Sequence, residues 1–502
     1  MKKNKMLFIS LAVLVLLGIM KTEVQAQISK GGQPFNFQKG KSSASLPIYQ
    51  VASPSMDGVE AMDAEDEKNG MPYRVAFNVP VHFDFFDYAQ KEVIGNRLVW
   101  TLEIQSQGAK ALNAYYENFV LPADGLFFVY SSQYDYVSGA FSQENNRPSG
   151  LFATAMIPGD KMIMEYSEPI SSGMNSPKAV IRISDIGYHY RGAASLTGEK
   201  IDESEFCEVN INCPEGENWQ REKKGVVKLV MKEGSASYLC SGSLINNTAQ
   251  DLTPYLLTAY HCSASASAAD KEMWVFYFNY EREGCENTGT APTNQTLTGC
   301  TMVARGMMSG GSDFQLLLLN ESPPEGYNPY WNGWERSTTP STSGVSIHHP
   351  AGDIKKISTY TTALSVGNWS SGMAQGHWRV YWAATQTSHG VTEGGSSGSP
   401  LFNSDKKIVG TLTGGGSYCN SPNVPDYYGR FDKHWNANGS AALQQLAPWL
   451  DPCNKNLTTL EGIDYEYFNQ APDSVMAISL GDGSINLNWK KVNATDQVVI
   501  AV

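Results

Sequence analysis

Residues 27–200 contain short runs in which apolar and polar side chains alternate. These runs occupy positions 74–83, 98–104, 125–130, 161–166 and 179–183, with turn residues between them. Alternation places successive side chains on opposite faces of a strand, and short strands at regular spacing are typical of a β-sandwich. We therefore expect a β-rich, sandwich-like unit over residues 27–200. It shows no catalytic constellation, and His82 is expected to be solvent-facing or structural.

Residues 201–462 contain a second and denser series of short strands. They are predicted at 226–231, 238–245, 255–260, 273–280, 301–304, 314–319, 345–347, 379–382, 400–402 and 408–412. Helical periodicity is almost absent, and this combination indicates antiparallel β-barrels. One late helix is expected at 441–446, ending or kinking at Pro448. The fold class is therefore predicted to be all-β.

The last part of the chain, residues 463–502, begins with an acidic, aromatic stretch and then has an alternating strand at 485–489 that ends in Trp489. The strand with its tryptophan resembles the opening of a fibronectin type III domain. The roughly thirty residues that remain are too few for a sandwich of that kind. We therefore expect a linker and a partial segment.

The N-terminus has the pattern of a secretory signal peptide. Lys2, Lys3 and Lys5 precede an apolar run over residues 6–20, and Ala26 closes a small-x-small site. A membrane anchor is the alternative, but it needs about 20 apolar residues. We expect cleavage after Ala26, export from the cell and no later membrane attachment.

Charge and cysteine content narrow the class of protein further. A formal net charge of −13 argues against nucleic acid or anionic membrane as the main partner. All eight cysteines lie between positions 207 and 453, and an even number in an exported chain indicates disulfide bridges. The alternative, a metal site, lacks the usual ligand spacings, so no metal and no cofactor is expected.

A candidate nucleophile lies in the glycine-rich stretch 390–402, where glycines flank Ser397 and a short apolar strand follows. Glycine permits backbone conformations that expose a hydroxyl beside free N–H groups, as acyl transfer requires. A flexible loop is the alternative for such a Gly/Ser run. The remaining chain must therefore supply a base and an acid.

Two other residues complete a candidate triad. His261 ends an apolar strand and precedes Cys262, whose disulfide would fix the position of the histidine. Asp313 begins the most apolar strand of the chain, and a buried carboxylate needs a partner, although a strand-start cap is the alternative. Asp353 and Asp405 lie in turn-like contexts and are expected to be solvated. The chain order His, Asp, Ser is that of chymotrypsin, and the three together favour an enzyme.

The segments 206–216, 240–249, 347–350 and 390–400 resemble the secreted bacterial lysyl endopeptidases, which are chymotrypsin-fold serine proteases that cut after lysine. The resemblance covers residues 201–462, and residues 27–200 more weakly resemble the pro-region of that family. It implies a double antiparallel β-barrel in which His261 is the general base, Asp313 its orienting partner and Ser397 the nucleophile.

The same resemblance implies further site residues. The N–H groups of Gly395 and Ser397 would form the oxyanion hole, and Asp426 would lie at the base of the lysine pocket. Trp369 matches a tryptophan that flanks the active site. The family pairs that tryptophan with a histidine, whereas Thr413 occupies the matching position here, so the stacked pair is in doubt.

The resemblance also implies three disulfide bridges: Cys207–Cys419, Cys213–Cys285 and Cys240–Cys262. Cys300 and Cys453 are left over, and we expect them to form a fourth bridge.

Lys200-Ile201 lies at the junction of the two units, where a lysine-specific enzyme could cut its own precursor. In trypsin-like zymogens the freed terminus pairs with an aspartate just before the nucleophile, but Ser396 occupies that position. We therefore expect the pro-region to act by steric inhibition or as a folding aid.

Two alternatives remain open. One is a trypsin-like protease of arginine or broader basic specificity, because a carboxylate also suits a guanidinium. The other is a catalytically idle secreted adhesin or scaffold. The expected partners are lysine-containing protein and peptide substrates and the chain's own pro-region.

Overall fold

The computed structural model describes residues 29–39, 46–68, 71–170, 178–192, 203–286 and 291–466, together with two short strands nearer the C-terminus. The predicted signal peptide with its cleavage after Ala26, and the predicted processing bond between Lys200 and Ile201, lie outside these residues. Among the described residues, no helix is long and apolar enough to cross a lipid bilayer.

The N-terminal unit consists of two sheets packed face to face, as the alternating pattern predicts. Its elements are β1 (Ile48–Gln50), α1 (Val59–Lys68), β2 (Tyr73–Asp84), α2 (Phe85–Tyr88), β3 (Gln90–Ile94), β4 (Arg97–Gln105), β5 (Ala111–Val120), β6 (Leu126–Ser131), β7 (Val137–Phe141), β8 (Phe152–Ala153), β9 (Ile157–Pro158), β10 (Lys161–Pro169) and β11 (Val180–His189). One sheet has the order β1-β4-β10-β6-β7 with β3 beside β4, and the other contains β2, β11, β5 and β8. Inward-facing side chains such as Leu102 and Val129 from one sheet, and Tyr116 and Ile183 from the other, form the core between them.

The second unit is also almost entirely β. Its elements are β12 (Val209–Asn210), β13 (Val226–Glu233), β14 (Ala236–Leu244), β15 (Tyr255–Thr258), α3 (Ala268–Lys271), β16 (Val275–Tyr277), β17 (Thr296–Thr298), β18 (Cys300–Gly306), β19 (Phe314–Leu319), β20 (Tyr330–Trp331), β21 (Trp334–Glu335), β22 (Gly344–His348), β23 (Lys356–Tyr360), β24 (Ser365–Gly367), β25 (His377–Val380), β26 (Pro400–Asn403), β27 (Ile408–Gly415), β28 (Asp426–Arg430), α4 (Phe431–Asn436), α5 (Ala447–Leu450), β29 (Thr459–Leu460) and β30 (Ile463–Asp464).

Two barrel-like sheets are formed by these strands. In the first, the order is β17-β16-β13-β14-β15-β19-β18, and β17 and β18 are separated along the chain only by Gly299. In the second, the order is β12-β23-β22-β26-β27-β28-β25-β24. Aromatic and aliphatic side chains form a buried core against each sheet. They include Trp274 and Leu317 in the first and Trp378 and Leu401 in the second. The predicted all-β class is confirmed.

The two units share one sheet. The part of the β14 edge that β15 leaves unpaired is joined in antiparallel fashion to β2 of the N-terminal unit, and Ala236 lies opposite Phe77 while Leu239 lies opposite Tyr73. The strands β11, β5 and β8 continue this sheet beyond β2. The N-terminal unit is thus attached to the second unit by backbone hydrogen bonds as well as by side-chain packing.

The predicted helix at 441–446 is wrong in its position. A short 3-10 turn occupies Ala442–Gln444, and the helix α5 begins only at Ala447, with Pro448 in its first turn. Proline lacks the N–H that the first turn leaves unbonded anyway, so it starts this helix instead of ending an earlier one. The predicted strand at 379–382 lies two residues earlier, because β25 begins at His377.

Near the C-terminus, β31 (Val475–Ser479) and β32 (Ile485–Trp489) form an antiparallel hairpin. The predicted strand at 485–489 is therefore present. The likeness to a fibronectin type III domain stays a prediction.

Candidate active site

His261 lies directly after β15 and is held from two sides. The neighbouring Cys262 is bridged to Cys240 on β14. The backbone N–H of His261 donates to the Asp313 carboxylate over 3.0 Å, and Nδ1 lies 2.7 Å from the other carboxylate oxygen. This pair of contacts fixes both the position and the orientation of the imidazole ring.

Asp313 precedes β19 and is completely buried. Its backbone has a φ of 58°, a left-handed conformation that aspartate tolerates better than most residues. Burial opposes ionisation of the carboxyl, but the charge of His261 and hydrogen bonds from His261 and Thr413 outweigh it, so the pKa of Asp313 is lowered. The carboxylate is therefore ionised at neutral pH.

Ser397 is carried by the second barrel, just before β26. Its Oγ lies 2.8 Å from Nε2 of His261, so serine, histidine and aspartate form one continuous hydrogen-bonded row. The turn is tight on the side of the first barrel, because a Cβ on Gly398 would collide with the side chain of Thr258. Only glycine fits there, with its φ of 79°.

Two peptide groups of the turn that carries Ser397 are oriented by hydrogen bonds to their carbonyl oxygens. The carbonyl of Gly394 accepts from the N–H of Ala351 over 2.6 Å, and the carbonyl of Ser396 accepts from Ser399 over 3.0 Å. In a trans peptide the C=O and N–H point in opposite directions. The N–H groups of Gly395 and Ser397 are therefore turned away from these bonds, toward the side of the turn that is left open.

Ser241 on β14 braces the same turn from behind. Its hydroxyl donates to the carbonyl of Gly395 over 2.9 Å, and its N–H donates to the carbonyl of Ser397 over 2.8 Å. Sequence reasoning did not single out Ser241 or Ala351. Neither has a local signal, because the role of each depends on a contact between segments that are far apart in the chain.

Asp426, the first residue of β28, is completely buried in a polar cradle. Its carboxylate accepts from Trp382 Nε1 at 2.6 Å, from Thr392 Oγ1 at 2.8 Å, and from the N–H and hydroxyl of Ser417 at 3.1 and 2.6 Å. Burial raises the pKa of Asp426, although these hydrogen bonds partly offset it. No described lysine or arginine forms an ion pair with this carboxylate.

Trp369 is half-buried beside the end of β27. The ring lies against the backbone of Gly414, and its centroid is 5.8 Å from that of Tyr427. A histidine does lie near it, but from a different position: the ring centroid of His377 is 6.4 Å away at an interplanar angle of 37°. His377 also lies 3.1 Å from the Thr413 hydroxyl through Nε2, and sequence reasoning missed it.

Ser396 is buried behind the nucleophile and bonds to a histidine. Its hydroxyl lies 2.8 Å from Nδ1 of His348, whose Nε2 lies 3.0 Å from the hydroxyl of Ser358. His348 is completely buried at the end of β22, and burial lowers its pKa to about 3. The residue before the nucleophile is thus held by a neutral imidazole.

Asp353, Asp405 and His82 were expected to be solvated or structural, and the structure shows where each one lies. Asp405 is exposed, but Asp353 is completely buried, so the expectation of a solvated turn residue is wrong for it. Its carboxylate accepts from Ser204 at 2.8 Å and lies 3.3 Å from Lys356 Nζ, and these partners replace water. His82 lies at the surface of the N-terminal unit, 3.1 Å from Glu117.

Three disulfide bridges are formed, and they are those that the resemblance implies: Cys207–Cys419, Cys213–Cys285 and Cys240–Cys262. Bridges of this kind are typical of proteins outside the cytosol. The expected fourth bridge is wrong, because Cys300 and Cys453 are free thiols. Cys300 is buried in the first barrel beside the Lys271 carbonyl, whereas Cys453 lies in the loop after α5 beside Thr248.

Comparison with known proteins agrees with the sequence motifs. The family model for the C-terminal domain of lysyl endopeptidase matches residues 201–429. A lysyl endopeptidase from Pseudomonas aeruginosa is 32% identical over 241 residues, which cover 45% of this chain and 49% of that protein. The chain thus spans about half the length of this curated relative, and the resemblance to lysyl endopeptidases is confirmed for the matched residues.

Two solved structures of proteases each align with 42% of the chain. The protease Anisep from Arthrobacter nicotinovorans is 17% identical with a TM-score of 0.31, and 91% of that protein is covered. The thermostable serine protease AL20 from an extremophilic microorganism is 13% identical with a TM-score of 0.29 over 92% of its length. At such low scores neither alignment carries an argument about fold or activity.

Proposed function

We propose that the chain is a serine endopeptidase that hydrolyses peptide bonds on the C-terminal side of lysine. The observation that carries this proposal is the hydrogen-bonded row Ser397–His261–Asp313, with contacts of 2.8 and 2.7 Å. A row of this order and spacing is what nucleophilic acyl transfer requires.

In the proposed mechanism, Ser397 Oγ attacks the scissile carbonyl while His261 Nε2 takes its proton and later returns it to the leaving amine. General acid–base catalysis of this kind contributes roughly 10²–10⁴-fold. Asp313 stays ionised and stabilises the imidazolium that forms. The N–H groups of Gly395 and Ser397 would bind the oxyanion, and one such donor contributes about 2.7–4 kcal/mol.

Lysine preference is supported by Asp426. The described groups that donate hydrogen bonds to this carboxylate are all neutral. When Asp426 is ionised, its negative charge is therefore not balanced by any of them. A substrate ammonium would supply the missing cation, and a desolvated charge pair is costly to leave incomplete. A guanidinium could pair with the same carboxylate, and cleavage of matched lysyl and arginyl amides separates the two preferences.

The N-terminal unit is proposed to be a pro-region that blocks the site sterically. Tyr73, the first residue of β2, lies against the backbone of Gly394, three residues before the nucleophile. The interface that holds it is extensive: the Tyr115 hydroxyl lies 2.8 Å from that of Ser237, and Arg147 forms a buried ion pair with Glu321 at 3.1 Å. We further propose export by the N-terminal signal peptide, with cleavage after Ala26 and later between Lys200 and Ile201.

The test is a cleavage-site profile on a denatured protein mixture, recorded with the processed native enzyme and with Ser397→Ala. We expect cuts after lysine with the native enzyme and none with the variant. A serine-directed phosphonate should form an adduct on Ser397. Cuts shared by both proteins, or no adduct, would favour the idle scaffold, and cuts after both lysine and arginine would favour the broader protease.

A further inference from the structure

The turn that carries the proposed nucleophile is held against β22 and β23 by a row of hydrogen bonds through a buried histidine. His348, the last residue of β22, lies 2.8 Å through Nδ1 from the hydroxyl of Ser396 and 3.0 Å through Nε2 from the hydroxyl of Ser358 on β23. The N–H of Glu393 donates to Ser396 Oγ over 3.1 Å, and the Ser358 hydroxyl donates to the carbonyl of Val391 over 2.7 Å. The row therefore begins and ends in the segment that leads to the nucleophile.

The direction of each bond in this row follows from the groups that form it. A carbonyl only accepts, so the single hydroxyl proton of Ser358 is given to Val391. The oxygen of Ser358 then accepts from Nε2, so Nε2 of His348 carries a proton. Burial lowers the pKa of His348 to about 3, so the ring is neutral and its Nδ1 accepts from the Ser396 hydroxyl. A flipped ring would lose both bonds, and the orientation of the imidazole is therefore fixed.

Two further groups just after β22 hold the neighbouring peptides of the same turn. The N–H of His349 donates to Ser241 Oγ over 2.9 Å, and the Ser241 hydroxyl donates to the carbonyl of Gly395 over 2.9 Å. The N–H of Ala351 donates to the carbonyl of Gly394 over 2.6 Å. Three consecutive residues of the turn are therefore held, directly or through one hydroxyl, from one short stretch of chain.

The row is tightly enclosed. His348 and Ser358 are both completely buried, and a Cβ on Gly390, which has a φ of 61°, would lie 2.7 Å from the Ser358 hydroxyl. The charged residues that face the ring are Glu208, whose carboxylate lies 3.8 Å from Nε2, and Lys356, which pairs with His348 across β22 and β23. A buried polar group that loses its partner is costly to leave unpaired, so the row resists distortion.

We propose that His348 is a positioning residue for the proposed protease: it holds Ser396, and through Ser396 the peptide whose N–H, on Ser397, would bind the oxyanion. The inference rests on the proposed protease activity. The bonds of the row are present in the uncut chain, so the turn has its shape before any cleavage at the junction. Without the imidazole, Ser396 loses its acceptor and the Ser397 N–H moves out of line. Such a displacement weakens stabilisation of the oxyanion more than it weakens substrate binding.

Substitutions along the row test the proposal in the processed enzyme. We expect His348→Leu and Ser396→Ala to lower kcat between about tenfold and about a hundredfold, with KM for a lysyl amide within about twofold. Affinity for a lysine-derived peptide aldehyde should fall by a similar factor, because its adduct with Ser397 places an oxyanion at the same N–H groups. His348→Asn keeps an acceptor near the position of Nδ1 and should retain more of kcat than His348→Leu. The double variant His348→Leu/Ser396→Ala should lose no more than the larger of the single losses.

Tyr360→Phe is the matched control for Ser358→Ala. Tyr360 lies two residues after Ser358 on β23, is completely buried, and donates its hydroxyl to the carbonyl of Phe402 over 3.0 Å, outside the row. Each substitution removes one buried hydroxyl from the same strand. We expect both to lower the Tm, but only Ser358→Ala to lower kcat and aldehyde affinity, by at least about threefold. If His348→Leu does not fold, this pair of variants gives the same decision.

The possible failures are distinguishable. A native enzyme that neither cleaves lysyl amides nor labels at Ser397 overturns the proposed function together with this inference. An active native enzyme whose folded His348→Leu variant keeps kcat within about twofold overturns only the role of His348. The same conclusion follows from a loss of kcat without a loss of aldehyde affinity, from a His348→Asn variant no better than His348→Leu, or from equal kcat values in Ser358→Ala and Tyr360→Phe.

Discussion

Asp313 and Asp426 are both completely buried, yet their pKa values move in opposite directions. Burial raises the pKa of each. Asp313 also has the charge of His261 beside it, and this charge reverses the shift, whereas Asp426 has only neutral donors. Under the proposed lysine preference, we therefore expect the cationic partner of Asp426 to come from the substrate.

Replacing Asp426 with asparagine should therefore act on substrate choice. We expect Asp426→Asn to lower kcat/KM for lysyl amides by about thirtyfold or more, since losing one partner of a buried charge pair costs about 2–5 kcal/mol. Hydrolysis of a neutral P1 amide should change far less. Equal losses on both substrates would mean that Asp426 supports the turn and not specificity.

Glu393, four residues before the nucleophile, should make stability depend on pH. Burial raises its pKa from 4.5 to about 7, and the charges of Glu205 and Asp353 add to the shift while a bond from the Glu205 N–H opposes it. A carboxyl with a raised pKa contributes stability that is fully present below about 4.5 and lost as the pH rises through about 7. The native Tm should therefore fall over this window.

The measurement is Tm against pH for the native chain and for Glu393→Gln. A glutamine does not titrate, so the slope between about pH 5 and 7 should become flatter. An unchanged slope would assign the pH dependence to other groups. The neighbouring Glu208 is the first to examine, because burial raises its pKa well above the usual value.

At the scale of elements, we expect the bridge between β14 and the turn after β15 to couple stability to the proposed catalysis. Cys240 and Cys262 are 22 residues apart, and His261 directly precedes the second cysteine. Removing a bridge that closes a loop of this length costs about 3 kcal/mol. We expect the double variant Cys240→Ala/Cys262→Ala to unfold at lower urea concentration and to lose kcat, because His261 is then fixed only by Asp313.

The control for this prediction is Cys300→Ala, which removes a buried cysteine of the same barrel that has no bridge. It should cost less stability and leave kcat unchanged. Loss of stability without loss of kcat in the double variant would mean that the contact with Asp313 suffices to hold His261.

The strands of both units could be predicted because alternation and turn residues are local signals. The row Ser397–His261–Asp313 was predictable from chain order and from the setting of each residue. The position of α5 was not, because proline can either end or begin a helix. His377 was missed because the predicted strand began two residues too late and because its partner, Thr413, is reached only through strand pairing across β28.

At the scale of the whole molecule, the shared sheet was also beyond the sequence. Each unit was predicted correctly as β-rich, but nothing in residues 73–77 marks their partner as the edge of β14. Backbone hydrogen bonds are nearly independent of side-chain identity, so edge pairing between distant segments leaves no motif. Because β2 begins with Tyr73, this pairing register brings the ring of Tyr73 to Gly394.

The register leads to a prediction about activation. If the pairing of β2 with β14 keeps the turn that carries Ser397 covered, a precursor that cannot be cut between Lys200 and Ile201 should react slowly with reagents directed at Ser397. We expect Lys200→Ala to remain one chain and to label with a serine-directed phosphonate at least about tenfold more slowly than the processed enzyme, a difference of about 1.4 kcal/mol in the barrier.

Lys178→Ala, which changes another lysine of the same unit, should be processed and labelled like the native chain. In the unprocessed Lys200→Ala precursor, Tyr73→Ala should restore part of the labelling rate, because it removes the ring that lies on Gly394. A Lys200→Ala precursor that labels as fast as the processed enzyme would show that the shared sheet serves folding alone.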